Sequence, residues 1–466
     1  MAERRAHAVV IGGSLAGLSA ASVLAGHFDQ VTLVERDRFP DAPAYRKGVP
    51  QSRHLHILVL GGQRAFTHLF PGIDAELLDA GAVPVHVPEE MAWLNAQGWS
   101  ARFVSSYSFL SCSRELLDWH IRARLATLGN LQIVDGHEVT ELIPDGVGVA
   151  GVRLRAREQA AEAARDLAAD LVVDASGRGS MAPKWLETLG CPRPAHTRID
   201  ACLGYATRVY APAAGFSADW LALYIQGQPP AICRAGALCP IEGGRWMVTL
   251  SGVGGDHPPT DERGFLAFAR GLRSPLIFDA IRDAEPLSPI WGYHRTANER
   301  WGYEDMRRWP ERFVVVGDAA CVFNPVYGHG MSVAAMTAVA LDRRLSRAGG
   351  DLSGFSRGFQ REVAECSAAA WLISTSEDLR FPTTTGSRVD ARTRLMHGYF
   401  DRVLRAANRD AHTNRAILEV LGLIAPPESL FRPGVLIRAL AWGGRCRADA
   451  SGDLAAPRPL SSDMPV

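Results

Sequence analysis

The sequence predicts an α/β chain: a discontinuous parallel sheet, a second and mostly antiparallel sheet, and a helical C-terminal region. Three observations carry that prediction. Strand-length apolar runs end in glycine-bearing turns at Gly12-Gly13-Ser14-Leu15-Ala16-Gly17, at Asp174-Ala175-Ser176-Gly177, and at Gly317-Asp318 ahead of Pro325-Val326-Tyr327-Gly328-His329-Gly330. Between the second and third turns lie short strand-like segments with a hairpin signal at Glu242-Gly243-Gly244-Arg245. Beyond Gly350 the apolar spacing becomes helical, with stripes such as Tyr399-Phe400 with Val403-Leu404 and Ile417-Leu418 with Val420-Leu421.

The first turn follows Ala8-Val9-Val10-Ile11 and precedes the helical spacing of Leu18, Ala21, Leu24 and Ala25. A second strand, Gln30 to Val34, then delivers Glu35 about twenty residues after the turn, where a dinucleotide fold places a ribose-binding carboxylate. This is a Rossmann-like strand, turn and helix. Gly12 permits the tight turn, Gly17 lets helix and strand approach, and the helix N-terminus offers N–H groups to a pyrophosphate. Ser14 replaces the usual central glycine, so its small side chain must fit there. Gly12, Gly13, Ser14, Ala16, Gly17, Glu35 and Arg36 are the expected contacts of this unit.

The later turns decide which dinucleotide is expected. Asp318 after the strand Phe313 to Val316, then Pro325 and the Gly328-His329-Gly330 turn opening a helix at Met331, resembles the flavin-contacting end of the para-hydroxybenzoate hydroxylase superfamily. That resemblance implies FAD, with the aspartate on the ribityl chain and the turn and helix N-terminus at the flavin's pyrimidine edge. By the same resemblance Asp174, Gly177, Gly317, Asp318, Pro325, Gly328, His329, Gly330 and Met331 are cofactor-binding. The loop Arg46-Lys47-Gly48-Val49 looks like the one that sends an arginine to the cofactor, making Arg46 the expected flavin contact. Arg114 resembles the arginine that opens a helix and reaches the cofactor, and Val139 lies where the family sets a strand against the adenine.

Taken whole, the chain is similar to flavin-dependent epoxidases of polyether antibiotic biosynthesis, of the monensin and lasalocid type. The resemblance implies transfer of one oxygen atom from a flavin C4a-hydroperoxide to a hydrophobic secondary-metabolite intermediate, with epoxidation of a polyketide or polyene alkene preferred. Aromatic or aliphatic hydroxylation, alkene reduction of the geranylgeranyl-reductase kind, and flavin-dependent halogenation are the alternatives. Halogenases add a Trp-x-Trp-x-Ile-Pro motif that Ser288-Pro289-Ile290-Trp291 does not reproduce. Epoxidation requires no separate acid or base, so no catalytic side chain is assigned. His54, Trp220, Tyr224, Trp246 and Tyr327 are the expected substrate contacts. NAD(P)H is the expected electron donor, directly or through a partner reductase, because Asp174 is followed by Ala-Ser-Gly rather than by the Asp-Gly motif of single-component hydroxylases. Molecular oxygen and a substrate either free or borne on a carrier protein complete the expected partners.

Of 466 residues, 47% are hydrophobic, enough for a large core spread over more than one domain. Formal net charge is zero, which argues against nucleic-acid binding. The eight cysteines have no metal-ligand spacing, and no metal is expected. No apolar run approaches the roughly twenty residues of a transmembrane segment, and a cytoplasmic location is expected. The FAD-binding domain is expected at 1–80, 111–197 and 298–350, the substrate-binding sheet domain at 81–110 and 198–297, and the helical region at 351–448. Residues 449–466, polar and rich in proline and serine, are predicted to be disordered.

Overall fold

The computed structural model describes residues 5–157 and 164–442, so the tail predicted from 449 lies outside the described residues. Its centre is a five-stranded parallel sheet in the order Phe313–Val315, Leu171–Asp174, Arg5–Ile11, Phe28–Val34 and Leu131–Val134. Neighbouring residues such as Val9 and Val10, or Val172 and Val173, point to opposite faces, and all four are fully buried. Both faces are therefore covered, which is why these strands read as continuous apolar runs rather than alternating ones. Helices Leu15–Ala25 and Gly330–Ala348 share one core with the strands, as do Val149, Val152 and Leu154 of a three-stranded antiparallel sheet. Every strand of the parallel sheet runs in the same direction, so the turns after Ile11, Asp174 and Val315 gather at one edge.

Facing that edge is an eight-stranded sheet whose central ladder is Gly204–Ala211, Arg245–Gly252, Arg234–Ile241, Ala222–Ile225 and Met91–Asn95. It is antiparallel except where Ala222–Ile225 runs parallel to Met91–Asn95. The hairpin expected around Glu242 is present, pairing Ile241 with Arg245. The strand expected from Trp220 starts two residues later, at Ala222, leaving Trp220 outside the ladder.

Strand alternation divides this sheet into two unlike faces. Tyr210, Trp246, Val248, Leu250, Leu223 and Leu238 pack on Phe265 and Phe268 of helix Glu262–Arg270. Tyr205, Thr249, Ser251 and Tyr224 point the other way, toward the glycine turns. Helices Phe355–Asp378, Ala391–Ala407, Ala411–Leu421 and Pro433–Trp442 follow. Their buried stripe of Val403, Leu404, Ile417, Val420 and Val435 forms a separate cluster closing one end of the space between the sheets. Among the described residues no helix is long and apolar enough to cross a membrane.

Candidate cofactor and substrate site

Between the two sheets lies a cavity of about 800 Å³ that runs from Glu35, Val139 and Trp185 past Asp318 and Gly330 to Phe400 and Leu421. Its first wall is the glycine turn. Gly12 has φ +100°, a conformation that excludes ordinary side chains, and its N–H donates to the Val34 carbonyl at 2.8 Å. A Cβ on Gly17 would sit 1.8 Å from the Gly12 carbonyl oxygen, so the helix touches the turn only because that atom is missing. The first bond back into the turn is Leu18 N–H to the Ser14 carbonyl, 2.8 Å, which leaves the amides of Leu15, Ala16 and Gly17 ahead of it for an anion. Glu35 is buried at the end of its strand, where Oε2 accepts from Gly13 N–H at 2.7 Å and Oε1 from Asp37 N–H at 3.0 Å. Each oxygen keeps a second lone pair for a ligand hydroxyl.

Three expected cofactor residues are placed as braces. Arg46 does not line the cavity: it is buried behind the turn, with Nη2 donating to the Gly13 carbonyl at 2.9 Å, Nη1 3.4 Å from Glu35 and Nη2 3.7 Å from Asp118. The guanidinium ties its loop to the glycine turn through Nη2, while Nη1 is buried without a hydrogen-bond partner. Asp174 also lies behind the wall, fully buried, accepting from Ser176 N–H at 2.9 Å and Ser180 Oγ–H at 2.5 Å, while Ser176, Gly177 and Arg178 form the lining. Gly17 makes its contribution through the close approach already described. Arg36, Lys47, Gly48 and Val49 all line the cavity.

Arg114 both lines the cavity and ties its two walls together. Ser113 caps the helix Arg114–Leu125 by accepting from Leu116 N–H, which places Arg114 at its first position. From there Nε donates to Asp118 at 2.7 Å, Nη2 to Ser14 Oγ at 3.1 Å, and Nη1 meets the Met331 sulfur at 2.7 Å. The serine that departs from the glycine pattern thus receives an arginine hydrogen bond.

On the opposite wall Gly317 and Asp318 end the edge strand, and Asp318 accepts no hydrogen bond from the described residues. Burial raises its pKa, opposed by the positive charges of Arg178 and Arg114. The turn Pro325–Tyr327 and Gly328 (φ +70°) then deliver His329, Gly330 and Met331 to the cavity at the N-terminus of helix Gly330–Ala348. Nothing in the motif suggested what holds this turn. Asp378 accepts from Asn298 Nδ2 at 2.7 Å, from Asn324 Nδ2 at 3.0 Å and from the Tyr327 hydroxyl at 2.8 Å. Asn298 Oδ1 in turn accepts from Asn324 N–H at 2.7 Å and Ser374 Oγ–H at 2.6 Å. Burial pushes the Asp378 carboxyl up to about 6 against the pull of these donors. His329 donates Nε2–H to the Leu421 carbonyl at 3.2 Å, and burial holds its pKa down to about 4.

The sheet above supplies a mixed surface. His54 is buried, shares a hydrogen bond of 2.8 Å between Nδ1 and Thr207 Oγ1, and meets the Tyr205 ring edge-on at 4.5 Å. Burial first, then His56 and Arg53, lower its pKa to about 3, so it is a neutral imidazole. Of the expected substrate residues, His54, Tyr224 and Tyr327 line the cavity. Trp220 and Trp246 do not, because both pack into the cluster that helix Glu262–Arg270 covers. Tyr205 and Tyr293, with ring centroids 5.3 Å apart, are the aromatic pair on the cavity side. Strand phase marks them: Tyr205 shares its parity with Thr207, whereas Trp246 shares its parity with Val248 and Leu250.

These features fit a flavin dinucleotide: two helix N-termini face one cavity, the carboxylates of Glu35 and Asp318 line it as acceptors for hydroxyls, and apolar walls lie between. The FAD-binding domain family matches residues 5–371, and the chain belongs to that family of FAD-dependent oxidoreductases. Protein Rv3254 of Mycobacterium tuberculosis is 33% identical over 414 residues, covering 87% of this chain and 86% of the relative. Among solved structures, the flavin-dependent brominase Bmp2 aligns with a TM-score of 0.62 at 14% identity, covering 89% of this chain and 93% of that one. PqsL of Pseudomonas aeruginosa, described as a probable FAD-dependent monooxygenase, aligns with a TM-score of 0.59 at 18% identity over 81% of this chain and 98% of its own. At such identities these two structures speak for the fold.

Proposed function

We propose that this protein is an FAD-dependent monooxygenase that places one oxygen atom on a hydrophobic small molecule, with alkene epoxidation the preferred reaction. The observation that carries the proposal is the continuity of the cavity. One end has the polar donors and acceptors of a dinucleotide site; the other is an apolar chamber walled by Met91, Phe109, Tyr224, Phe400 and Leu404. Bound FAD would supply the activation of dioxygen and the transfer of one of its atoms.

The chain's own residues bind, orient and keep water out. The amides of Leu15, Ala16 and Gly17 would hold the pyrophosphate, Glu35 the adenosine ribose and Asp318 the ribityl hydroxyls. The N-terminus of helix Gly330–Ala348 would oppose the flavin's pyrimidine edge, favouring negative charge there by up to about 2 kcal/mol. Met91, Phe109, Phe400, Leu404 and Leu418 would hold the alkene and displace water. His54 and His56 are neutral through burial, so neither supplies a permanent positive charge. Against halogenation stands the Trp-x-Trp-x-Ile-Pro motif, which Ser288-Pro289-Ile290-Trp291 does not reproduce.

Incubation with candidate polyenes under ¹⁸O₂ tests the reaction. A product containing one labelled oxygen supports it; a product gaining two hydrogens without oxygen identifies a reductase and refutes it. Rapid bleaching of the bound flavin by NADPH alone would show that electrons arrive without a partner reductase.

A further inference from the structure

The part of the chamber beneath helices Ala391–Ala407 and Ala411–Leu421 is not uniformly apolar. Tyr224 is register partner to Trp93 on the neighbouring parallel strand, and Gln226 follows two residues later, so all three side chains project from the same face. All three line the cavity. The Trp93 indole N–H is buried with no acceptor, and the Gln226 side-chain oxygen is buried with no donor. Glu377 lines the same region from helix Phe355–Asp378, and burial first, then the Glu377 charge, raise the Tyr224 pKa.

We propose that Trp93, Tyr224, Gln226 and Glu377 form a recognition pole for a neutral hydroxyl group carried by the otherwise apolar substrate. The inference rests on the reading of this chamber as the substrate site of a flavin enzyme, and names the class of molecule it takes. A hydroxyl both accepts and donates, so it is the neutral group that suits an indole N–H and an amide oxygen alike. An alkyl group in that position would leave both groups without a partner. A carboxylate is disfavoured because the neighbouring guanidiniums are already engaged. Arg380 donates to Glu377 at 3.4 Å and is paired with Asp401, and Arg273 donates to the Asn95 and Gln226 carbonyls. Tyr327 and Asp378 also face Glu377, and His397 lies beside Arg380, adding no free positive charge.

The test uses equilibrium dialysis of the FAD-loaded protein with naphthaleneethanol, ethylnaphthalene and naphthaleneacetate, read by naphthalene fluorescence. The alcohol should bind at least about tenfold more tightly than the hydrocarbon and the carboxylate, the effect of one hydrogen bond. Trp93→Phe and Gln226→Met should each shrink the alcohol-to-hydrocarbon ratio several-fold without loss of flavin, and Trp246→Phe, on the far face of the sheet, should leave it intact. A merely structural role would weaken all three ligands together. Equal binding of alcohol and hydrocarbon, tightest binding of the carboxylate, no binding of any probe, or a ratio unchanged in both variants overturns the inference. Failure of the parent reading is seen separately, as a protein that takes up no flavin.

Discussion

Substituting Gly17 by alanine isolates the contact on which the cofactor end is built. The added Cβ would stand 1.8 Å from the Gly12 carbonyl oxygen, 2.9 Å from its carbon and 3.4 Å from Val10 Cγ1. Ordinary contact begins at 3.4 Å, so helix and turn must separate by about 1.6 Å. The turn has little room to retreat, because its far side packs on the Ala175 loop so closely that a Cβ built on Gly12 would stand 2.6 Å from the Ala175 carbonyl oxygen. The helix cannot shift freely either, because Leu18, Ala21 and Leu24 are fully buried against the sheet. Overpacking of this kind costs about 1–3 kcal/mol in stability, and a displacement above 1 Å carries the Leu15 to Gly17 amides away from their ligand. Gly129→Ala is the control: the residue does not line the cavity, and nothing lies within 4 Å of its Cβ position. Thermal melting of the flavin-free proteins and flavin titration are the assays. Gly17→Ala should lower the melting temperature and weaken FAD binding at least about tenfold, while Gly129→Ala stays within about 0.5 kcal/mol of the parent. Equal flavin affinity in the two variants would refute the assignment of this turn to the dinucleotide.

Asp318→Ala should weaken FAD binding ten- to a hundredfold, about 1.5–3 kcal/mol, by removing an acceptor of the ribityl hydroxyls; stoichiometric yellow colour after purification and dialysis would exclude it from the site. Asp378→Ala strands the donors of Asn298, Asn324 and Tyr327, so denaturant unfolding should show a loss of at least about 3 kcal/mol, against about 1 kcal/mol for Tyr327→Phe. For His329 the folded pKa of about 4 lies below the ordinary 6.5, so protons favour the unfolded chain and stability falls as pH drops from 6.5 toward 4. His329→Gln should remove up to about 1.4 kcal/mol per pH unit of that slope, and identical slopes in chemical denaturation would exclude a buried neutral imidazole.

The cofactor end was legible because its constraints are local. Gly12 and Gly17 are five residues apart on one turn and helix, and Glu35 ends the adjacent strand, so spacing along the chain stands in for distance in space. Arg46 was visible as a member of the right loop, but its placement against Gly13, Glu35 and Asp118 depends on a helix more than sixty residues away. The same holds more strongly for Asp378, whose partners Asn298, Asn324 and Tyr327 lie 80, 54 and 51 residues distant and form no motif. On the sheet the obstacle was of another kind, since aromatic content marked Trp220, Tyr224 and Trp246 alike, while alternation keeps Tyr224, adds Tyr205 and turns Trp246 to the far face. Parity in a strand is a property of the ladder, and Trp246 beside Val248 and Leu250 already shares the phase that helix Glu262–Arg270 covers. The chemistry that distinguishes substrates therefore rests on groups whose sequence neighbours say least about them. Trp93 and Gln226 face a common space only through the parallel pairing of Met91–Asn95 with Ala222–Ile225, a contact between segments separated by more than a hundred residues.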